Sequence, residues 1–151
     1  MSGWPARLLS LRVLLPGLWA GLLLTVAGLA TPAPFALLAQ VDAGRVVARM
    51  LSQEAHVSLV LGAILLLLER FATRQSASAG QGRQFTPAMM LTLGALFCTV
   101  AGYFALQPLM GAAKAGQGPF SFGQLHGLSA AFYLVKLALV LALAWRTVRQ
   151  S

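Results

Sequence analysis

FSFGQLHGLSAAFYLVKLALVLALAWR, residues Phe120 to Arg146, is the stretch from which the rest of the chain can be read. Between Leu125 and Trp145 the only full charge is Lys136. At about 1.5 Å per residue such a run is long enough to cross a hydrocarbon layer of about 30 Å. Its polar residues are grouped. At about 100° per residue, His126, Ser129, Tyr133 and Lys136 fall within roughly 80° of one another, on one face of a helix. The pattern predicts a transmembrane helix with a polar stripe, and that stripe is the candidate functional face.

Composition places the whole chain in the same solvent. Hydrophobic residues make up 58% of the 151 and charged residues 9%, whereas a soluble domain carries about a quarter charged residues. The net charge of +8 comes from bases clustered beside apolar runs, which marks topology and not a nucleic-acid footprint. One cysteine, Cys98, lies inside an apolar run, so neither a disulfide framework nor a cysteine metal site is available. Cys98 reads as a packing residue.

Working outward, three further spans are expected, over about 13–34, 55–70 and 87–106, with the last over about 124–145. The first follows Arg7 and Arg12 and ends at the Thr31-Pro32-Ala33-Pro34 break. A cleaved signal peptide is the rival reading of this segment. Gly17, Gly21 and Thr25 form a stripe of small residues suited to close helix packing in lipid. Asp42 can cap a helix starting near Ala43, whose first part is amphipathic: Arg45, Arg49, Ser52 and His56 share one face, with Val47, Met50 and Leu51 opposite. That segment is expected to lie on or project above the bilayer, with Glu54 on its apolar side and at the entrance to the second span. Gln75 to Gln84 reads as the flexible core of a loop over about 72–86. The third span opens at Pro87 and is closed by Gln107-Pro108. In it Thr92, Thr99 and Tyr103 share a face, and Gly94, Cys98 and Gly102 form a second small-residue stripe. Gly111 to Gly123 is a glycine-bearing loop leading into the fourth span.

Counting bases gives the orientation. Arg7, Arg12, Arg70, Arg74, Arg83, Arg146 and Arg149 lie on one side, and Arg45, Arg49 and Lys114 on the other. The positive-inside rule then puts both termini in the cytoplasm. Trp19 and Trp145 would lie toward that interface. The fold expected is an all-α integral membrane protein, four transmembrane helices in a bundle, with the second extended by an amphipathic segment. No internal repeat stands out.

Candidate chemistry is sparse. His56 and His126 begin different spans on the same side and form a candidate ligand pair for b-type haem or a metal ion. Lys136, near the middle of its span, is a functional candidate, set against snorkelling toward the interface. No acid lies within a span to pair with it, because Glu54 and Glu69 are read at span ends. Ser129, three residues after His126, is expected to hydrogen-bond within its own helix. No phosphate-binding glycine loop, paired carboxylates or activated nucleophile is present, so no enzymatic activity is expected.

Leu18-Trp19-Ala20-Gly21, the Thr31 to Phe35 break, Tyr103 to Pro108 and above all Leu125-His126-Gly127-Leu128-Ser129 together resemble the transmembrane protein 205-like family. The resemblance covers about Leu18 to Leu143. It implies a four-helix membrane protein, with bacterial members forming a domain of unknown function and a eukaryotic member linked to platinum-drug resistance, and it supplies no catalytic residues. The chain departs from the family pattern at Tyr133, where an asparagine is expected.

The functional expectation is a small accessory or interaction protein of the bacterial inner membrane. Its partners would be the lipid bilayer and a second copy or another membrane protein, with no nucleic acid and no cofactor. Two alternatives stand beside it: passage of a small solute or metal ion along the His126, Ser129, Tyr133 and Lys136 face, and haem b held by His56 and His126.

Overall fold

The computed structural model describes residues 3–78 and 85–150. Its helices are α1 (Gly3–Thr25), α2 (Pro32–Leu37), α3 (Gln40–Ser78), α4 (Pro87–Thr99), α5 (Leu106–Lys114) and α6 (Phe122–Gln150). π-helical turns at Val26–Ala30 and Val100–Ala105 join α1 to α2 and α4 to α5. Among the described residues four helical rods are long and apolar enough to cross a membrane, Ser10–Leu37, Gln40–Arg74, Pro87–Lys114 and Phe122–Gln150. This is an all-α four-helix bundle.

The rods run longer than the expected spans for identifiable reasons. Proline removes an N–H donor and clashes with the carbonyl four residues earlier, which should end or kink a helix. Here a π turn precedes the proline in both cases: Thr31 N–H reaches back to the Val26 carbonyl at 2.9 Å just before Pro32, and Val100–Ala105 precedes Pro108. The wider turn absorbs the misfit, so the helix bends and continues. The Thr31-Pro32-Ala33-Pro34 segment and Gln107-Pro108 therefore lie inside the rods and do not end them.

Elsewhere the termini follow ordinary capping chemistry. Thr86 accepts from Met89 N–H at 3.2 Å, with Pro87 at the first helical position. Ser121 and Gln124 cap α6 reciprocally, each side chain accepting the other's backbone N–H at 3.2 and 3.0 Å. After α5, Gly116 adopts φ +72° while its N–H bonds Ala113 O and Gln117 N–H bonds Ala112 O. This left-handed closure suits glycine. Asp42 is not the cap expected: α3 starts at Gln40, and Asp42 in its first turn pairs with Arg45 at 3.2 Å. α3 also runs to Ser78, into the expected loop; residues 79–84, with Arg83 and the loop centre, lie outside the described residues.

In the bundle α1 and α4 each pack against both α3 and α6, which places α3 and α6 at opposite corners. The main core joins Trp19, Ala20, Leu23, Leu65, Ala88, Ala95, Val140 and Leu143. A smaller cluster of Leu106, Met110 and Leu125 lies toward the end of the bundle away from the termini, the distal end. Close packing depends on glycine at two places. A Cβ on Gly62 would overlap the Leu96 side chain, and one on Gly102 would sit 2.5 Å from Phe132 Cβ. The Gly94, Cys98, Gly102 stripe is thus used between α4 and α6. The other stripe is not: Gly17, Gly21 and Thr25 are exposed, and nothing within 4 Å would meet a Cβ at either glycine.

The first part of α3 extends the second rod as an amphipathic segment, as expected. It is the beginning of one continuous 39-residue helix. Its apolar side, with Ala43 and Val47 buried, is turned inward, and α3 packs against α2. Arg45, Arg49 and His56 face outward.

Candidate functional site

Glu54 lies within the rod Gln40–Arg74, on the face that packs inward. Lys136 Nζ meets it, at 2.8 Å from Oε1 and 2.9 Å from Oε2. Both side chains are 3% exposed. This corrects the expectation that Lys136 has no acid to pair with, and it also answers the snorkelling alternative, since the lysine stays inside the bundle. Two buried opposite charges hydrogen-bonded to each other avoid the cost that either would carry alone in an apolar medium.

The pair is extended by neutral donors. Ser58, one turn along α3, donates to Glu54 Oε1, and Trp19 Nε1–H of α1 donates to Ser58 Oγ at 2.8 Å. Trp19 has no exposed surface, so it is not the interfacial tryptophan its position near the N-terminus predicts. Trp145 does sit outside, 63% exposed, with the Arg149 guanidinium 4.6 Å from its ring centre. The chain Lys136–Glu54–Ser58–Trp19 therefore links α6, α3 and α1 and crosses the diagonal of the bundle.

The other members of the α6 stripe behave similarly. Ser129 Oγ donates to the carbonyl of Gly102 at 2.7 Å, inside the second π turn, and not within its own helix. Tyr133 Oη donates to the Leu23 carbonyl at 2.9 Å, three residues before the first π turn begins. The Lys136 ammonium also lies 4.6 Å from the Tyr133 ring centre. His126 is different: it is exposed at the rim and stacks on Phe122, which Lys114 approaches at 4.8 Å from the ring centre. So the structure turns Ser129, Tyr133 and Lys136 inward onto three different helical rods and leaves His126 at the surface.

His56 is exposed, its Nδ1 2.7 Å from the Ser52 carbonyl and its ring edge-on to Phe104. Each of the two histidines is thus packed on an aromatic ring of its own. Among the described residues no group of three or more His, Cys, Asp or Glu side chains is placed to hold a metal ion. Thr92 and Thr99 are buried and bond back to the carbonyls of Ala88 and Ala95 in their own helix.

A second polar junction closes the end of the bundle that holds the termini. Glu69, 4% exposed, accepts from Arg12 Nε at 2.8 Å and from Thr86 Oγ1 at 3.2 Å, tying α3 to α1 and to the start of α4. Glu54, Ser58 and Trp19 were missed by sequence reasoning. One signal was available: Glu54 falls on the apolar side of its helix, where an acid persists only with a partner.

With this geometry in view, comparison with known families is informative. Residues 14–119 match the family model described as Domain of unknown function (DUF4149). The chain belongs to this family. The matched region takes in α2, α3, α4 and α5 with the second half of α1, and it stops before α6 and its Leu125-His126-Gly127-Leu128-Ser129 segment. It supports an uncharacterised membrane domain and not the transmembrane protein 205-like name. No curated protein and no solved structure gives a significant match.

Proposed function

We propose that this DUF4149 protein is a non-enzymatic accessory protein of the bacterial inner membrane, with both termini in the cytoplasm, acting through contacts with a second copy or another membrane protein. One observation carries this reading. Ser129, Tyr133 and Lys136, the residues a solute would need along α6, each spend their polar atoms on another helix of the same chain. A bundle with its polar groups bound internally presents an apolar exterior, and its contribution is then made through that surface. The seven-to-three distribution of bases supports the orientation.

The test uses the full chain purified in mild detergent and reconstituted into vesicles. The expected result is a spectrum without a haem band in either redox state, no ion flux above empty vesicles, and cross-linking in native membranes to itself or to one membrane protein. A Soret band lost in His56→Ala and His126→Ala, or a flux abolished by Lys136→Leu, would overturn the proposal.

A further inference from the structure

Two exposed stripes on the outside of the bundle share one order of residues. Along α3, Val60, Ile64, Leu67, Phe71 and Arg74 follow one another every three or four residues, all exposed. Along α6, Leu134, Ala138, Leu141, Trp145 and Arg149 do the same. Such spacing keeps each set on one side of its helix. Arg70 flanks the end of the first stripe and Arg146 the end of the second. Phe71 follows Val60, and Trp145 follows Leu134, by 11 residues. That is about 16 Å of helix, half of a hydrocarbon layer of about 30 Å. Both stripes finish at the end of the bundle that holds the termini, and α3 and α6 stand at opposite corners. From the middle of the membrane outward, each therefore runs apolar, aromatic, guanidinium. Acyl chain, glycerol ester and phosphate follow the same order in one leaflet.

Charge selects among phospholipids. The chain has three acids. Glu54 and Glu69 are buried and taken by Lys136 and Arg12, and Asp42, at the distal end, pairs with Arg45. None is left to neutralise Arg70, Arg74, Arg146 or Arg149. Arg149 lies against the Trp145 ring, 4.6 Å from its centre, which holds the guanidinium beside the aromatic anchor. A zwitterionic headgroup brings its own cation to compete for the phosphate, whereas an anionic one does not. An acidic protein in the water would complement the arginines alone, whereas a lipid also covers Trp145 and Phe71, the latter 58% exposed. Orientation by basic residues requires only their number on one side; it requires neither an aromatic residue beside each pair nor acids withdrawn from the surface.

We propose that the ends of α3 and α6 are two binding sites for anionic phospholipid. Arg70 and Arg74 hold the phosphate of one lipid and Arg146 and Arg149 that of another, with Phe71 and Trp145 against the glycerol region and the apolar stripes along the chains. The sites depend neither on the accessory reading nor on which leaflet the termini face.

The test offers the full chain, in mild detergent at low salt, equal amounts of phosphatidylglycerol and phosphatidylcholine, and counts bound lipid by native mass spectrometry. Two arginines acting on one anionic headgroup should give roughly a thirtyfold preference for phosphatidylglycerol at each site. Arg146→Gln with Arg149→Gln should remove one retained lipid, Arg70→Gln with Arg74→Gln the other, and the quadruple variant both. None of the four side chains is buried, so the circular-dichroism melting curve without lipid should stay where it was. Phe71→Ala with Trp145→Ala should lower retention while leaving the charge unchanged, and glycerol phosphate, a headgroup without chains, should not displace the lipid. Equal retention of the two lipids, or undiminished phosphatidylglycerol on the quadruple variant, would overturn the proposal. So would displacement by glycerol phosphate, the mark of a simple anion site, or full retention by the aromatic variant, the mark of charge alone.

Discussion

Lys136→Met removes the cation from the centre of the bundle while keeping an unbranched side chain of similar length. Glu54 then remains 3% exposed with the Ser58 hydroxyl donating to it, having lost two contacts at 2.8 and 2.9 Å. Breaking a buried pair from one side costs about 3–5 kcal/mol, mostly because an uncompensated charge stays behind. At about 1.4 kcal/mol per tenfold, that is roughly two to three and a half powers of ten in the folded-to-unfolded ratio. Glu54→Leu should be comparably severe, since it strands the ammonium. The double variant Glu54→Leu with Lys136→Met should recover most of the loss, because an apolar pair of similar volume has no charge to desolvate. The assay is reversible unfolding in mixed micelles followed by circular dichroism, arranged as a double-mutant cycle. A single-variant cost below about 1 kcal/mol, or two costs that simply add in the double variant, would refute the reasoning; the former is the value of a solvent-exposed pair.

Gly102→Ala should destabilise by about 1–3 kcal/mol, because its Cβ would lie 2.5 Å from Phe132 Cβ, whereas Gly17→Ala and Gly21→Ala, built into open space, should leave the same unfolding curve unchanged. Trp19→Phe keeps most of the packing but withdraws the donor from Ser58, and should cost about 1–3 kcal/mol; an unchanged midpoint would show that the indole N–H contributes nothing. At the other junction, Glu69→Gln leaves Arg12 without a carboxylate and should increase protease cleavage between α3 and α4, with Thr86→Val giving a smaller increase in a limited-proteolysis time course.

What was legible in the sequence and what was not divides along physical lines. A run without charges must solve its backbone hydrogen bonding internally, so four helices could be counted from composition alone. The 3.6-residue period likewise placed Ser129, Tyr133 and Lys136 on one face, and the structure turns all three into the bundle. Depth was harder to read. Nothing in a 39-residue helix marks which 20 or so residues occupy the bilayer, so Glu54 was placed at an entrance although its position on the apolar side already pointed to a buried partner. Pro32, Pro34 and Pro108 were read as terminators because a proline inside a helix removes a donor and clashes with the preceding turn, and the π turns that precede them have no sequence signature; Pro16 lies inside α1 without one. Trp19 was assigned to the interface by its distance from the N-terminus, and the hydroxyl it bonds lies 39 residues away. Ser121-Phe122-Gly123-Gln124 is a capping box that could have fixed the start of α6.

The Glu54–Lys136 pair spans 82 residues of sequence, and a chain emerges from the ribosome N-terminus first. α3 must therefore enter the bilayer with its acid uncompensated, and it stays so while the third rod is made. The counter-charge arrives only with the final helix. Until then the acid has the Ser58 hydroxyl of its own helix, held in turn by Trp19, but no counter-charge; afterwards the same carboxylate becomes a lock. The last segment synthesised thus acts as the completion signal of the whole molecule, and a message cut short before Phe122 yields a product whose Glu54 lacks its counter-charge, by which an incomplete chain can be told from a finished one.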